Sequence, residues 1–310
     1  MKAQEFYGQH YRSVAWFRLP PGIKIFTGDR THRICRFCGR SGSAAKFRKR
    51  AHAFPEFIGN HTLFANDECD DCNSRFGQFE AHLSKYLGLE ITISQIKGKK
   101  HVPKYKVRDQ GPSVFFDAPT KKLLAEAHVD DRFIHLDMNR QLFTIQWQRQ
   151  PYIRRMAFKC LVKMALSIAP LDILPDFAQT IRWIASDDLA SGPAGPLGSA
   201  CFRVVRSRSV HSLRAIEAVL LTRRHDSDDL PYATFFISFH HHTFQIFIPF
   251  TSKDGGLAGR EIKMPHLPNK MERFSDVFFF FDDMSSNELL QNDVAELNFT
   301  YDGPITIREA

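Results

Sequence analysis

Two short cysteine pairs constrain this chain more than any other feature. Cys35-Arg-Phe-Cys38 and Cys69-Asp-Asp-Cys72 are both C-x2-C, with thirty residues between them. Each pair suits a tight knuckle that aims two thiolates at one metal, and two pairs complete the all-sulfur tetrahedron that structural zinc prefers. A filled shell leaves no open position, so such a zinc staples a fold and does no chemistry. Four ordinary buried thiols are the competing reading, and matched spacing argues against it. Cys160 lies on the apolar side of a predicted helix and Cys201 opens a strand-like stretch, so both read as core residues.

The pattern predicts short strands at Val14–Phe17 and Ile23–Phe26, split by Pro20–Gly22. Phe76, Phe79, Leu83, Tyr86 and Leu87 recur at helical spacing, which predicts a helix over Ser74–Leu87 ended by Gly88. Further strands are expected at Ser113–Phe116, Phe133–Asp137 and Leu142–Trp147, and an amphipathic helix over Tyr152–Ile168. A second helix over Phe177–Ser186 precedes the Gly/Pro-rich stretch Ser191–Ser199. Ala215–Leu221, Tyr232–Phe239 and Thr243–Phe250 read as an antiparallel meander carrying the helix pair, followed by Val277–Phe281 and Leu297–Ile307. The 29 phenylalanines suit a large core there. The expectation is an α+β chain with a zinc-stapled module over residues 1–110 and a mixed domain over 111–310, the latter for substrate selection, self-association or regulation.

Charge divides the chain at the same place. Residues 1–110 hold 20 Lys/Arg against 10 Asp/Glu, and residues 111–310 hold 22 against 24. The excess positive charge therefore lies in the first third, which points to a polyanionic partner. No apolar stretch approaches the ~18 residues that span a bilayer, and the polar start lacks the apolar segment of a signal peptide. A cytoplasmic protein with reduced thiols is the expectation. There is no P-loop, dinucleotide-binding glycine fingerprint or G-x-S-x-G elbow.

Between the cysteine pairs runs Phe47-Arg-Lys-Arg-Ala-His52-Ala-Phe-Pro55-Glu56-Phe-Ile-Gly59-Asn60, and Asn73 follows the second pair directly. The pattern C-x2-C, A-H-x-x-P-E-x-x-G-N, C-x2-C-N, then Glu80, resembles the zinc-containing branch of the HNH, or ββα-metal, endonucleases over about residues 35–87. The resemblance implies a ββα-metal fold and a metal-dependent endonuclease acting on DNA. His52 would be the general base that deprotonates the attacking water, and Asn73 would hold a catalytic Mg²⁺ or Mn²⁺. Asn60 or Asn66 would pin the loop that orients the histidine. One position departs from the pattern: many members carry an acidic ligand just before the histidine, where this chain has Ala51. Glu80 is the best substitute, two helical turns after Asn73 on one face, and Glu56 is a second. Asp70 and Asp71 lie in the knuckle and are expected to repel or tune the site.

The basic run Lys46, Arg48, Lys49 and Arg50, together with Arg75, is expected to bind phosphates. Arg33, Arg36 and Arg40 surround the same motif. Lys97, Lys99, Lys100, Lys104 and Lys106 extend the track, and Arg203, Arg206, Arg208 and Arg214 form a weaker cluster. His82 reads as surface, His61 as a lesser phosphate contact, and His240-His241-His242 as an exposed hairpin turn. Adjacent strand residues point to opposite faces, so these three cannot all meet one ion. Two alternatives accompany the nuclease reading: a non-catalytic zinc-stabilised nucleic-acid binder, and a nuclease silent until a ligand or partner protein engages residues 111–310. A homodimer would suit a two-strand cut, and a role in bacterial defence or restriction would suit what the resemblance implies.

Overall fold

The computed structural model describes residues 2–20, 22–98, 101–106, 113–117, 119–120, 122–126, 133–186, 198–206, 213–226, 229–257, 260–266 and 277–300. Lys99, Lys100, Arg208, most of Ser191–Ser199 and the end of the last expected strand lie outside them. Helix α1 (Ala3–His10) leads into strand β1 (Tyr11–Leu19). The cysteine-rich segment then contributes β2 (Ile25–Thr27), β3 (Ala51–His52), β4 (Leu63–Ala65) and helix α2 (Asp70–Leu87). Strand β4 pairs with β2 in parallel and with β3 antiparallel.

Gly88 ends α2 with φ +53, and a β-carbon there would sit 3.2 Å from Trp147 Nε1. Glycine both permits that turn and leaves room for the indole. Short helix α3 (Leu89–Ile93) follows. Next come β5 (Tyr105–Lys106), β6 (Ser113–Asp117), β7 (Lys122–Glu126), β8 (Ile134–Asp137), β9 (Leu142–Gln148) and β10 (Tyr152–Ile153). Helix α4 is Arg154–Ile168 and α5 is Ala178–Ala185. The intervening Leu171–Phe177 is a 3-10 helix with Pro170 as its N-cap and Pro175 inside it, where an α-helix would need the missing N–H.

Strands β11 (Ala200–Arg206), β12 (Leu213–Arg223), β13 (Ala233–His240), β14 (His242–Phe247) and β15 (Val277–Asp283) form the main sheet with β1. Its order is β1-β12-β13-β14-β11-β15, antiparallel throughout, with the expected meander at its centre. Strand β16 (Leu289–Leu290) pairs with β10, and β17 (Val294–Thr300) with β9.

The two parts of the chain are in contact. Tyr11–Leu19 pairs with Ile216–Arg223, so β1 is an edge of the later sheet. One apolar cluster joins Phe76, Phe79 and Leu83 of α2, Phe158 and Val162 of α4, and Phe235, Ile237 and Phe244 of the sheet. Each such side chain contributes about 2 kcal/mol on burial. Helix α4 also differs from the amphipathic expectation. Phe158, Lys159, Val162 and Lys163 are all buried, because α4 lies between α2 and the sheet and has no solvent face there.

Arg203 and the histidines after β13 are not the exposed groups the sequence suggests. Arg203 is 5% exposed, with Nη1 2.7 Å from Glu90 Oε2. Arg149 approaches Glu90 Oε1 at 3.7 Å and Asp293 at 2.8 Å. His240 to His242 do make the turn between β13 and β14, yet His241 and His242 are buried. Burial alone would raise the Glu90 carboxyl, but the charges of Arg203 and Arg149 and the hydrogen bond from Arg203 hold it below the ordinary range.

Burial depresses His242 to about 3, against the pull of Glu90 at 3.4 Å and with Arg203, His241 and His240 adding to the depression. The folded chain thus keeps His242 neutral while the unfolded chain takes a proton below about pH 6.5. Stability therefore falls as pH drops from about 6.5 toward 3, by at most about 1.4 kcal/mol per unit for this proton. Thermal unfolding at pH 7, 6 and 5 should show that decline, and His242→Phe should flatten it. Equal slopes in both proteins would count against the assignment.

Candidate active site and zinc centre

The first knuckle is a tight turn closed on itself. Cys35 N–H donates to Arg40 O at 2.9 Å, and Gly39 N–H donates back to Cys35 O at 2.8 Å. The second pair starts a helix: Cys69 is the N-cap of α2 and Cys72 lies in its first turn. The four Sγ atoms lie within 4.8 Å of one another. Cys38 Sγ and Cys69 Sγ are 3.7 Å apart, close to the edge of about 3.8 Å expected for a ZnS₄ tetrahedron with 2.3 Å bonds. Cys69 N–H and Arg40 Nε–H point at Cys35 and Cys38 sulfurs at 3.4 and 3.3 Å, donors suited to thiolates. This donor set can hold a structural zinc.

Asp70 ties the start of α2 to the basic run. Its carboxylate accepts the N–H groups of Arg48 and Lys49 at 3.2 and 2.9 Å, and its own N–H donates to Lys46 O at 2.8 Å. The start of α2 thereby fixes the basic run leading into β3. Asp71 pairs with Arg40 at 2.8 Å on the surface.

His52 ends β3, opposite Phe64 of β4. Its ring packs on Phe64 with centroids 4.8 Å apart, and Arg50 lies over the same phenylalanine. Asn60 is wholly buried between the strands. Its amide donates to Phe54 O and Leu63 O at 2.7 and 2.9 Å, and its oxygen accepts from Thr62 and Leu63 N–H at 3.2 and 2.8 Å. All four hydrogen-bonding sites of the side chain are used. Asn66 makes one long contact, to Gly28 O at 3.4 Å.

Asn73 is half-buried in the first turn of α2, with Glu80 two turns on. Burial raises the Glu80 carboxyl; Lys163 opposes the shift and Glu56 adds to it. These three groups thus share one electrostatic neighbourhood. Glu56 also sits 3.6 Å from His61 Nδ1. The sequence reading missed Glu68 and Lys163, which form an ion pair at 3.0 Å below β3. Burial pushes Glu68 up to about 6 against the pull of Lys163. No local pattern marks this pair, because its members lie far apart in the chain.

Residues 35–87 match the HNH endonuclease family. The match begins at the first zinc-knuckle cysteine and ends with the last residue of α2. No curated protein and no solved structure matches the chain. Around the HNH segment, Lys46, Arg48, Lys49 and Arg50 are exposed beside His52. Arg75 is half-buried and donates to Ala185 O at the end of α5. Arg36 turns inward: its side chain is 3% exposed, bonded to Asp67 and to the Leu166 and Ala169 carbonyls at the end of α4. It locks the first knuckle onto α4 and cannot reach a phosphate. His82 is likewise no surface residue. Its Nδ1 accepts the Ile153 N–H at 3.0 Å just before α4 begins, and burial lowers its pKa.

Proposed function

We propose that this chain is a metal-dependent endonuclease that hydrolyses DNA phosphodiester bonds. The observation that carries the reading is the order β3, Asn60-pinned loop, β4, α2 inside an HNH match, with His52, Asn73 and Glu80 on those elements. In this reading His52 takes a proton from the attacking water through its imidazole. Asn60 fixes the loop after β3 and so the histidine's approach. Lys46, Arg48, Lys49 and Arg50 hold the backbone on either side of the cut, without reading sequence.

Asn73 and Glu80 would hold a Mg²⁺ or Mn²⁺ ion. The nearby Glu56 carboxylate raises the proton affinity of Glu80, a repulsion a bound cation would neutralise, which fits such a site. When bound, the ion supplies charge stabilisation at the scissile phosphate and leaving oxygen.

Supercoiled plasmid incubated with the protein should be nicked in Mg²⁺ or Mn²⁺ and left intact in EDTA. One observation favours a second reading. Ala51, at the position where many members of that family carry an acidic ligand, is 1% exposed and has no side-chain oxygen. If the plasmid is retarded on a gel but never cut in either cation, the protein is a zinc-stabilised DNA binder. Cutting that begins only after a partner protein is added would place control in residues 111–310.

A further inference from the structure

Helix α4 delivers a sealed lysine to the backbone of the candidate general base. Lys163 is 1% exposed, and its Nζ lies 2.7 Å from His52 O, 3.4 Å from Ala53 O and 3.0 Å from Glu68 Oε2. The two carbonyls accept hydrogen bonds from the ammonium group, and the Glu68 carboxylate faces it as an ion pair. Lysine and glutamate are almost never fully buried unless paired. Stability is a weak reason for keeping such a pair, since apolar side chains of similar volume often serve as well or better. The position of the pair suggests another reason. Strand β3 is two residues long and pairs with β4, Ala53 N–H donates to Leu63 O at 3.2 Å, and Lys163 adds a grip on the carbonyls at its end.

We infer that Lys163, oriented by Glu68, is the positioning residue for His52: it grips the His52 and Ala53 carbonyls and so sets the direction in which the imidazole points. This rests on the nuclease reading above. It makes the HNH segment incomplete by itself, because the grip comes from a helix 111 residues further along the chain. The same lysine offsets the burial of Glu80, so one ammonium group serves both the base and the carboxylate expected on the catalytic cation.

The test uses the full chain as wild type, Lys163→Met and the double variant Glu68→Gln/Lys163→Met. Zinc content, Tm, kcat and KM on a DNA duplex, and amide exchange of residues 51–54 are measured for each. Lys163→Met leaves a buried carboxylate without its partner, so its Tm should fall. The double variant removes both charges and should recover Tm. Its kcat should stay about a hundredfold below wild type with KM unchanged, the effect of a misplaced base. Exchange at 51–54 should stay faster than in wild type.

Recovery of kcat together with Tm would overturn the inference, because the pair would then be merely structural. Should wild type cut nothing, the nuclease reading fails by itself, and amide exchange alone decides the grip. Faster exchange at 51–54 in a folded double variant supports it, and wild-type protection there overturns it.

Discussion

Replacing His52 with alanine should lower DNA cleavage by about a thousandfold while DNA affinity changes little. A positioned general base contributes about 10² to 10⁴ in rate, and the other histidine of the β3–β4 connection, His61, is paired with Glu56 at 3.6 Å. The contacts expected to carry affinity, Lys46, Arg48, Lys49 and Arg50, are exposed side chains that His52→Ala leaves in place. The His52 ring packs on Phe64 only at a half-buried position, so its loss should cost about 1 kcal/mol of stability or less. Single-turnover cleavage with enzyme in excess reads the chemical step directly, beside a gel-shift titration of the same duplex. A variant that cuts as fast as wild type would remove His52 from the mechanism. Loss of binding and cutting together would instead make it a DNA contact.

Removing zinc should abolish cleavage even with excess Mg²⁺ present, and should lower Tm sharply. Metal binding at structural sites of this type is worth about 10 to 16 kcal/mol in small zinc domains, and that energy is folding energy. Here Cys69 caps α2 and Cys72 lies in its first turn, while Cys35 and Cys38 sit on a separate knuckle. A bound zinc would thus tie the knuckle to the helix that carries Asn73 and Glu80. Cys69→Ser, or dialysis against a zinc-selective chelator, tests this with about one zinc per chain counted beforehand. Zinc added back should restore both properties, whereas Mg²⁺ added back should restore neither. Unchanged Tm and cleavage after proven zinc loss would show that the four thiols do not staple the module.

The readable parts of this protein were those in which residues near in sequence act together. The C-x2-C pairs, the helix ended by Gly88 and the meander around β13 each show a local spacing that only one arrangement satisfies. The basic residues were harder. Arg48 and Arg50 are exposed, whereas Arg36 and Arg203 are buried in ion pairs with Asp67 and Glu90. An arginine looks the same in sequence in either place. Its partner, 31 residues away for Arg36 and 113 for Arg203, decides which it becomes.

Helix α4 shows the same divide. Its apolar positions predicted a helix, but nothing in them said that α2 would cover one side and the sheet the other. The sequence by itself determined the zinc knuckles, the HNH motif and the elements that carry His52, Asn73 and Glu80, because these depend on spacings of a few residues. Tertiary structure alone decided that Lys163 and Glu68 meet beneath His52, that His242 is buried against Glu90, and that β1 closes an edge of the distant sheet. Those outcomes depend on which surfaces find each other when the chain collapses, and burial then gives charged groups partners that no local pattern can name.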